Sequence, residues 1–191
     1  MQVVAILSLK GGVGKTTTAM HLAAVAAQNG STCLVDADPE QSALRWAGHA
    51  DLPFEVVAGD PQKLARQIKA LEHRTIIINT PPNSRELLLR AGGLAHKVVV
   101  PVAPTGLEVD RLRPTLELLA DLQAQREELN VAILLTRFRS RRKLAQEAIE
   151  ALEGLPVLSA RVRELEAYKS AFGAVPSVLT EYQSVWQEFQ R

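Results

Sequence analysis

The sequence predicts an α/β fold: a doubly wound, mostly parallel β-sheet with helices on both faces. Apolar runs alternate with amphipathic stretches of helical length along all 191 residues. Several runs are continuously apolar, such as Ile76–Ile78 and Val98–Val100, which is typical of strands covered on both faces. A glycine-rich loop, residues 9–17, joins the first apolar run to the first helical stretch. Strand–loop–helix units of this kind bind phosphates.

The predicted elements follow these runs and the signals that start and stop helices. Strands are predicted at Val3–Leu9, Thr32–Asp36, Phe54–Ala58, Thr75–Asn79, Lys97–Val102, Val131–Thr136 and Pro156–Ser159. Helices are predicted at Lys15–Asn29, Glu40–Gly48, Pro61–Glu72, Arg85–Leu94, Leu107–Glu128, Arg142–Leu152, Val162–Phe172 and Val178–Phe189. Because Pro114 would kink the fifth of these helices, a start nearer Leu112 is the alternative. Alternating strands and helices imply a parallel sheet, whose ligands bind at the carboxyl ends of the strands.

The composition bounds the class of protein. With 47% hydrophobic and 23% charged residues, the chain is typical of a globular protein, and we expect one domain over residues 1–191. A formal net charge of +1 predicts no partner, so affinity for nucleic acid would need a local cluster of charge. Cys33 is the only cysteine, expected as a buried small hydrophobe, which excludes an internal disulfide and a multi-thiolate metal site. The scattered histidines receive no role. No apolar run approaches about 18 residues and no signal peptide is recognisable, so we expect a cytoplasmic protein.

The stretch Leu9–Thr17 carries the chemistry. Its glycines let backbone N–H groups approach phosphate oxygens, and the following helix favours negative charge at its N-terminus. Lys15 is placed to reach the β- and γ-phosphates of a nucleotide, and the Thr16 hydroxyl to bind Mg²⁺. The P-loop pattern G-x-x-x-x-G-K-[ST] fails at Leu9, and a second lysine, Lys10, lies inside the loop. The predicted nucleotide-binding residues of the loop are Lys10, Gly11, Gly12, Val13, Gly14, Lys15, Thr16 and Thr17.

Two carboxylates, Asp36 and Asp38, follow the second apolar run. Side chains at i and i+2 of a strand point the same way, here toward the phosphates. One carboxylate can hold a Mg²⁺-bound water while the other orients the attacking water. Asp38 is also placed to cap the next helix, an alternative that does not exclude the first. The pair favours a nucleotide hydrolase.

Together these motifs resemble the deviant Walker A ATPases of the ParA/MinD family. The matching segments, which extend from Met1 to about Gly173, include Lys10–Thr17, Val35–Pro39, Thr80–Pro82 and Pro101–Pro104. Since the loop begins at residue 10, the chain is most similar to the short ParA-like partition ATPases without an N-terminal DNA-binding extension. The resemblance implies a P-loop NTPase fold of the deviant Walker A type, with ATP and Mg²⁺ as ligands.

The resemblance also implies a dimerisation switch. Two ATP-bound subunits form a homodimer in which Lys10 reaches the partner's phosphates, while Lys15 serves its own nucleotide. Asp38 matches the aspartate that positions the attacking water, so Lys10, Lys15 and Asp38 are the candidate catalytic residues. Arg137 falls where the family builds the adenine edge. A ParB-like partner would stimulate hydrolysis.

The metal side of the site departs from the family at one position. The resemblance implies that Thr16 binds Mg²⁺ and that Asp36 contacts the ion through a bound water. The family's third motif carries an aspartate where this chain has Asn79. An asparagine can still hydrogen-bond a metal-bound water but brings no charge. We therefore expect weaker Mg²⁺ retention or slower ATP turnover, with Asp36 taking more of the role.

Basic residues cluster in the C-terminal half. Five positive charges fall within residues 137–143 with no acid among them. Such clusters bind DNA phosphates without sequence preference and in a salt-sensitive way, as ATP-bound dimers of ParA-like proteins do; the alternative is a solvated face. The candidate DNA-binding residues are Arg139, Arg141, Arg142, Lys143, Arg163 and Lys169.

An apolar stripe near the C-terminus predicts an amphipathic helix over about residues 178–190. MinD-like relatives anchor to membranes through such a helix, which needs a basic polar face. Here the polar face is mostly glutamine and glutamate, so we expect the helix to pack on the domain and expect no membrane partner.

These features favour a ParA-like ATPase that associates with the nucleoid and positions a plasmid, a chromosome or another cargo. Three alternatives stay open. They are a MinD-like membrane-associated regulator of cell division, a P-loop enzyme acting on a small molecule, and a nucleotide binder with little turnover.

Overall fold

The computed structural model describes residues 1–105, 112–139 and 143–190, which contain a six-stranded sheet. Its strands are β1 (Gln2–Ile6), β2 (Thr32–Asp36), β3 (Glu55–Ala58), β4 (Thr75–Asn79), β5 (Lys97–Val102) and β6 (Asn130–Leu135). They lie in the order β3-β2-β4-β1-β5-β6, and every pairing is parallel. The carboxyl ends of these strands therefore meet at one edge of the sheet.

Helices cover both faces of the sheet. They are α1 (Lys15–Ala27), α2 (Ser42–Ala47), α3 (Leu64–Ala70), α4 (Arg85–Leu94), α5 (Arg113–Gln125), α6 (Lys143–Ala151), α7 (Glu166–Lys169) and α8 (Thr180–Gln190). Successive side chains of a strand point to opposite faces, so β1 sends Val3 and Ala5 into the core under α3, α4 and α5. Val4 and Ile6 enter the core shared with α1, α2 and α8. The predicted doubly wound α/β fold is confirmed.

Helix α8 packs against α1, the helix that follows the glycine-rich loop. Tyr182, Val185 and Phe189 are all buried in the core on that face. The Tyr182 hydroxyl lies 3.4 Å from Thr18 Oγ1, and its ring stacks on His21 with centroids 4.9 Å apart. Among the helices that the structure describes, none has the length and apolar character needed to cross a membrane.

The start of α5 follows the alternative prediction. The described helix begins at Arg113, after Leu112, with Pro114 in its first turn. Proline is tolerated there because the first N–H groups of a helix have no partner within it. The predicted residues 107–111 lie outside the described residues.

The strand predicted at Pro156–Ser159 is wrong. Val157 forms only an isolated parallel bridge to Ile133. Ile133 N–H donates to the Pro156 carbonyl (2.8 Å), and Leu158 N–H donates to the Ile133 carbonyl (2.9 Å). Pro156 has no N–H to donate, so it cannot contribute a donor to a longer ladder.

The helix predicted at Val162–Phe172 is also wrong over most of its length, because only Glu166–Lys169 is helical. The N–H of Val162 donates to the Leu135 carbonyl, and the Val162 carbonyl accepts from the Phe138 N–H, both at 2.9 Å. The segment after β6 thus uses the backbone groups that a helix would need. Val162 is buried in the core shared with α1, and Tyr168 and Ala171 pack against that core.

Candidate functional site

The glycine-rich loop leaves β1 at the carboxyl edge of the sheet and enters α1 at Lys15. Gly12 and Gly14 have φ angles of +76° and +91°, a left-handed conformation in which a residue with a Cβ is strained. Gly14 is the N-cap of α1, whose first turn has neither a side-chain cap nor an acidic residue. The loop therefore offers backbone N–H groups at a helix N-terminus, which favours an anion.

Neighbouring segments hold this loop in place. The Leu9 carbonyl accepts from the Asn83 N–H (3.0 Å), directly after the Pro-Pro motif. Leu9 N–H donates to Thr115 Oγ1 (3.3 Å) in α5. Thr136 Oγ1, just past β6, donates to the Val13 carbonyl (2.9 Å). Three segments distant in sequence thus fix the loop's conformation.

Lys15 lies folded inside the loop. It is buried, and its Nζ donates to the Lys10 carbonyl at 2.8 Å. Burial lowers the pKa of Lys15 to about 8, and the charge of Asp38 opposes this shift. Lys10 is half-buried, and its N–H donates to Ser8 Oγ (3.2 Å). The side chain of Lys15 therefore contacts the backbone of Lys10, not its side chain.

Asp36 is the most heavily bonded carboxylate of the site. Its Oδ2 accepts from the N–H groups of Ala43 (2.8 Å) and Leu44 (3.0 Å) at the start of α2. Its Oδ1 accepts from Asn79 Nδ2 (2.9 Å) and from the Asp38 N–H (3.4 Å). Asp36, only 1% exposed, thus caps α2 from the end of β2 and ties it to β4.

Asp38 was expected as a possible cap of that helix, and this expectation is wrong. Its Oδ1 accepts from the N–H of Glu40 (3.0 Å), two residues on, while Asp36 provides the carboxylate that caps α2. Asp38 is buried and its charge acts on Lys15. The geometry separates the pair into a carboxylate bound to a helix and a carboxylate whose charge acts on Lys15.

Asn79 connects the residues predicted to hold the metal. It is fully buried at the end of β4, and its Nδ2 reaches both Asp36 Oδ1 (2.9 Å) and Thr16 Oγ1 (3.4 Å). The carboxylate can only accept, which fixes the orientation of the amide. Asn79 Oδ1 is buried and has no hydrogen-bond partner among the described residues. These oxygens are hard donors of the kind Mg²⁺ prefers, and the unpartnered Oδ1 suits a metal-bound water, so the residues fit the ion.

A cavity of about 460 Å³ opens beside the loop. Arg137 lies on its wall, exposed and with φ of +52°. Gly14 and Thr17 of the predicted loop also line it. Sequence reasoning missed the remaining wall, which includes Thr136, Val162, Leu165 and Tyr168, since nothing local marks these residues. The cavity adjoins the N-terminus of α1 and has space for a nucleoside attached to phosphates bound there.

The candidate DNA-binding residues that can be described are paired with acids. Arg139 forms an ion pair with Glu164, and Arg163 with Glu181. Lys169 lies 3.7 Å from the same Glu164 and 3.4 Å from Glu166. Arg141, Arg142 and the side chain of Lys143 lie outside the described part of the structure. The described cluster is thus less basic than residues 137–143 alone suggested.

Comparison with known proteins also indicates a nucleotide-binding domain. Residues 4–174 match the model of the CobQ/CobB/MinD/ParA nucleotide binding domain. The chain is 34% identical to "Maintenance of carboxysome distribution protein A" of Gloeobacter kilaueensis, covering 89% of this chain and 80% of that protein. It is 31% identical to "Chromosome-partitioning ATPase Soj" of Thermus thermophilus, covering 75% and 72%.

A solved structure of a variant of McdA from Cyanothece in complex with ATP shares the fold. Its TM-score is 0.77 at 22% identity, and the similarity covers 99% of this chain and 93% of that chain. The matching domain model, the two relatives and the glycine-rich loop agree. The chain belongs to the CobQ/CobB/MinD/ParA nucleotide-binding family and is a ParA/MinD-type ATPase.

Proposed function

We propose that this ATPase binds ATP with Mg²⁺, dimerises on ATP, binds DNA without sequence preference and positions a cargo. The observation that carries the proposal is the direct linkage of Thr16, Asn79 and Asp36 next to Lys15. Two relatives are named for carboxysome distribution and chromosome partitioning, which favours cargo positioning over small-molecule chemistry. A ParB-like partner would stimulate hydrolysis and reset the cycle.

The nucleotide's phosphates occupy the loop in this proposal. Lys15 exchanges its bond to the Lys10 carbonyl for phosphate oxygens, and the N–H groups at the start of α1 complete the cradle. Thr16 holds Mg²⁺, with Asp36 and Asn79 orienting water bound to it. The ion supplies neutralisation of phosphate charge. Arg137 and the adjoining cavity take the nucleoside.

Dimerisation and hydrolysis use the two remaining groups. Asp38 orients the attacking water, because it is a buried carboxylate beside Lys15. The side chain of Lys10 reaches the phosphates of the partner subunit, offsetting the charge of two facing nucleotides. Before a nucleotide binds, the carbonyl of Lys10 accepts the hydrogen bond of Lys15 in the same subunit.

DNA binding rests on the basic residues after β6. The side chains of Arg139, Arg163 and Lys169 are 46%, 64% and 54% exposed, so phosphates can reach them from solvent. The apolar stripe of α8 is buried, which argues against its use as a membrane anchor.

A binding experiment tests this function. ATP-bound protein is expected to bind random-sequence duplex DNA, with an affinity that falls steeply between low and moderate salt. It is expected not to bind anionic vesicles in a co-sedimentation assay. ADP-bound protein serves as the matched control. Salt-independent DNA binding, or ATP-dependent binding to vesicles, would contradict the proposal.

Replacing Asn79 by aspartate tests the metal side. The change puts a second carboxylate where Nδ2 now lies 2.9 Å from Asp36 Oδ1, in a fully buried place. Without Mg²⁺ we expect the free energy of unfolding to fall by about 1.5–3 kcal/mol, because a hydrogen bond to a charged group is replaced by repulsion between two carboxylates. The melting temperature then falls by about 3–12 °C. Mg²⁺ with ATP restores it, and turnover rises.

Calorimetry with and without Mg²⁺ measures the effect, and Asn130→Asp, the same exchange at an exposed position at the start of β6, is the control. A variant as stable as the parent without Mg²⁺, with unchanged turnover, would remove the role given to Asn79.

Nucleotide affinity is expected to fall with rising pH. Lys15 has a pKa of about 8 in the nucleotide-free protein, and phosphates favour its charged form, so binding raises this pKa. Above pH 8 binding must therefore take up a proton, and affinity at pH 9 is about tenfold weaker than at pH 7. Titration calorimetry in two buffers measures both affinity and proton uptake. Lys15→Arg keeps its charge throughout and should show a flat profile; a flat profile in the parent would contradict the assignment.

A further inference from the structure

Three side chains from separate segments meet at the end of the sheet opposite the nucleotide site. Cys33 lies near the start of β2, Glu55 begins β3, and His73 precedes β4. The Cys33 sulfur, a Glu55 carboxylate oxygen and a His73 ring nitrogen all lie within 4.8 Å of one another. Cys33 and Glu55 are register partners in adjacent strands, so their side chains share a face of the sheet.

Burial and hydrogen bonding make this cluster unusual. Cys33 is fully buried, and burial raises the pKa of its thiol to about 12, with a further contribution from the Glu55 charge. His73 Nε2 lies 3.2 Å from Glu55 Oε2. His73 Nδ1 is buried and has no hydrogen-bond partner among the described residues. Only one of the two ring nitrogens of His73 therefore has a hydrogen-bonding partner among the described residues.

We propose that Cys33, Glu55 and His73 form a binding site for a divalent transition-metal ion, with Zn²⁺ as the expected occupant. A thiolate with an imidazole selects Zn²⁺ over the hard ions Mg²⁺ and Ca²⁺. In a tetrahedral Zn²⁺ site the nitrogen and oxygen ligands, each about 2.0–2.1 Å from the ion, lie roughly 3.3 Å apart. The 3.2 Å between His73 Nε2 and Glu55 Oε2 already meets that spacing.

The site has an entry path and a vacant coordination position. The Glu55 side chain is 53% exposed and that of His73 is 21% exposed, whereas Cys33 is fully buried, so an ion would meet the carboxylate and the imidazole before the sulfur. Binding forms a Zn–S bond and releases the Cys33 thiol proton to solvent, with no change of oxidation state. Water fills the fourth position.

Occupancy would fasten the edge of the sheet. β3 is one of the two edge strands of the described sheet and pairs only with β2 among the described strands. The ion would join it to β2 and to the segment before β4. A ligand that binds only the folded state raises thermal stability, so the role is a clamp on the edge strand. Asp36, three residues after Cys33 in the strand, lies roughly 10 Å away, which keeps this ion apart from that of the nucleotide.

Metal titration of the full chain tests the proposal. After treatment with a chelator, the protein is titrated with Zn²⁺ and separately with Co²⁺, whose near-ultraviolet charge-transfer absorption reports a thiolate ligand. We expect one ion per chain and a rise in melting temperature. Cys33→Ala removes the only thiol and should abolish the Co²⁺–thiolate absorption. Glu55→Gln and His73→Gln should each weaken Zn²⁺ binding by at least about tenfold.

His49→Gln is the matched control, since His49 is exposed and contacts Phe172 elsewhere; its Zn²⁺ affinity should equal that of the parent. Absence of the thiolate absorption in the parent overturns the proposal. Zn²⁺ affinity unchanged by both Glu55→Gln and His73→Gln overturns it as well. These two variants alter partly exposed side chains, so the test holds even where Cys33→Ala does not fold.

Discussion

Asp38→Asn is expected to lower the rate of ATP hydrolysis by about 10²–10⁴-fold while leaving nucleotide affinity close to that of the parent. The amide keeps the shape of the side chain, and its oxygen can still accept from the Glu40 N–H, as Oδ1 does at 3.0 Å. Only the charge and the second acceptor oxygen are lost. An amide is a far weaker base than a carboxylate, so the attacking water is no longer oriented and activated.

Phosphate release under single-turnover conditions measures the rate, and fluorescent-nucleotide titration measures the affinity. Asp51→Asn makes the same chemical change at an exposed position and should leave both unchanged. An Asp38→Asn variant that hydrolyses ATP within a few-fold of the parent would show that another group orients the water.

Lys10→Ala should abolish the ATP-dependent dimer and reduce hydrolysis by about 10³-fold or more, as removal of a cation supplied in trans does in other phosphoryl-transfer sites. The contact that holds Lys15 inside the loop survives this substitution. Lys15 Nζ contacts the carbonyl of Lys10 rather than its side chain, so alanine preserves the loop's internal contact. ATP should therefore still bind to the monomer.

Size-exclusion chromatography with light scattering, in ATP and in ADP, reports the dimer. Lys63→Ala, at a lysine side chain 72% exposed, is the control. Mixing Lys10→Ala with Asp38→Asn sharpens the test, because a mixed dimer holds one site with its own Asp38 and the partner's lysine. Recovery of activity from two inactive variants is the expected result. A Lys10→Ala protein that still dimerises and hydrolyses ATP normally would rule out action in trans.

The fold was predictable because all its strands except β3 are covered on both faces. Runs such as Ile76–Ile78 are then apolar without alternation, and the glycine-rich loop marks where the first strand turns into a helix. The errors at Pro156–Ser159 and Val162–Phe172 have one cause. Both segments are decided by backbone bonds to β6 and to the residues after it, and such long-range pairing leaves no local pattern.

The candidate site likewise has a part that local motifs predict and a part that depends on strand pairing. Lys15, Thr16 and Asp38 lie in motifs that can be recognised from spacing alone. That Asp36 caps a helix seven residues on, and that Asn79 bridges it to Thr16, depends on how β2 and β4 pair. The Cys33 cluster depends on the register of β2 with β3. The histidines lack the sequence spacing typical of metal ligands, so no role could be predicted for them. In the fold, however, His73 lies beside Cys33 and Glu55.

The packing of α8 on α1 affects the order in which parts of the protein fold during synthesis. Thr18 and Tyr182 are in contact but separated by 164 positions, so the ribosome delivers the glycine-rich loop long before the residues that cover the helix behind it. Contacts of such sequence separation form late. A nascent chain therefore carries the glycine-rich loop on a helix that stays uncovered on one face until α8 emerges.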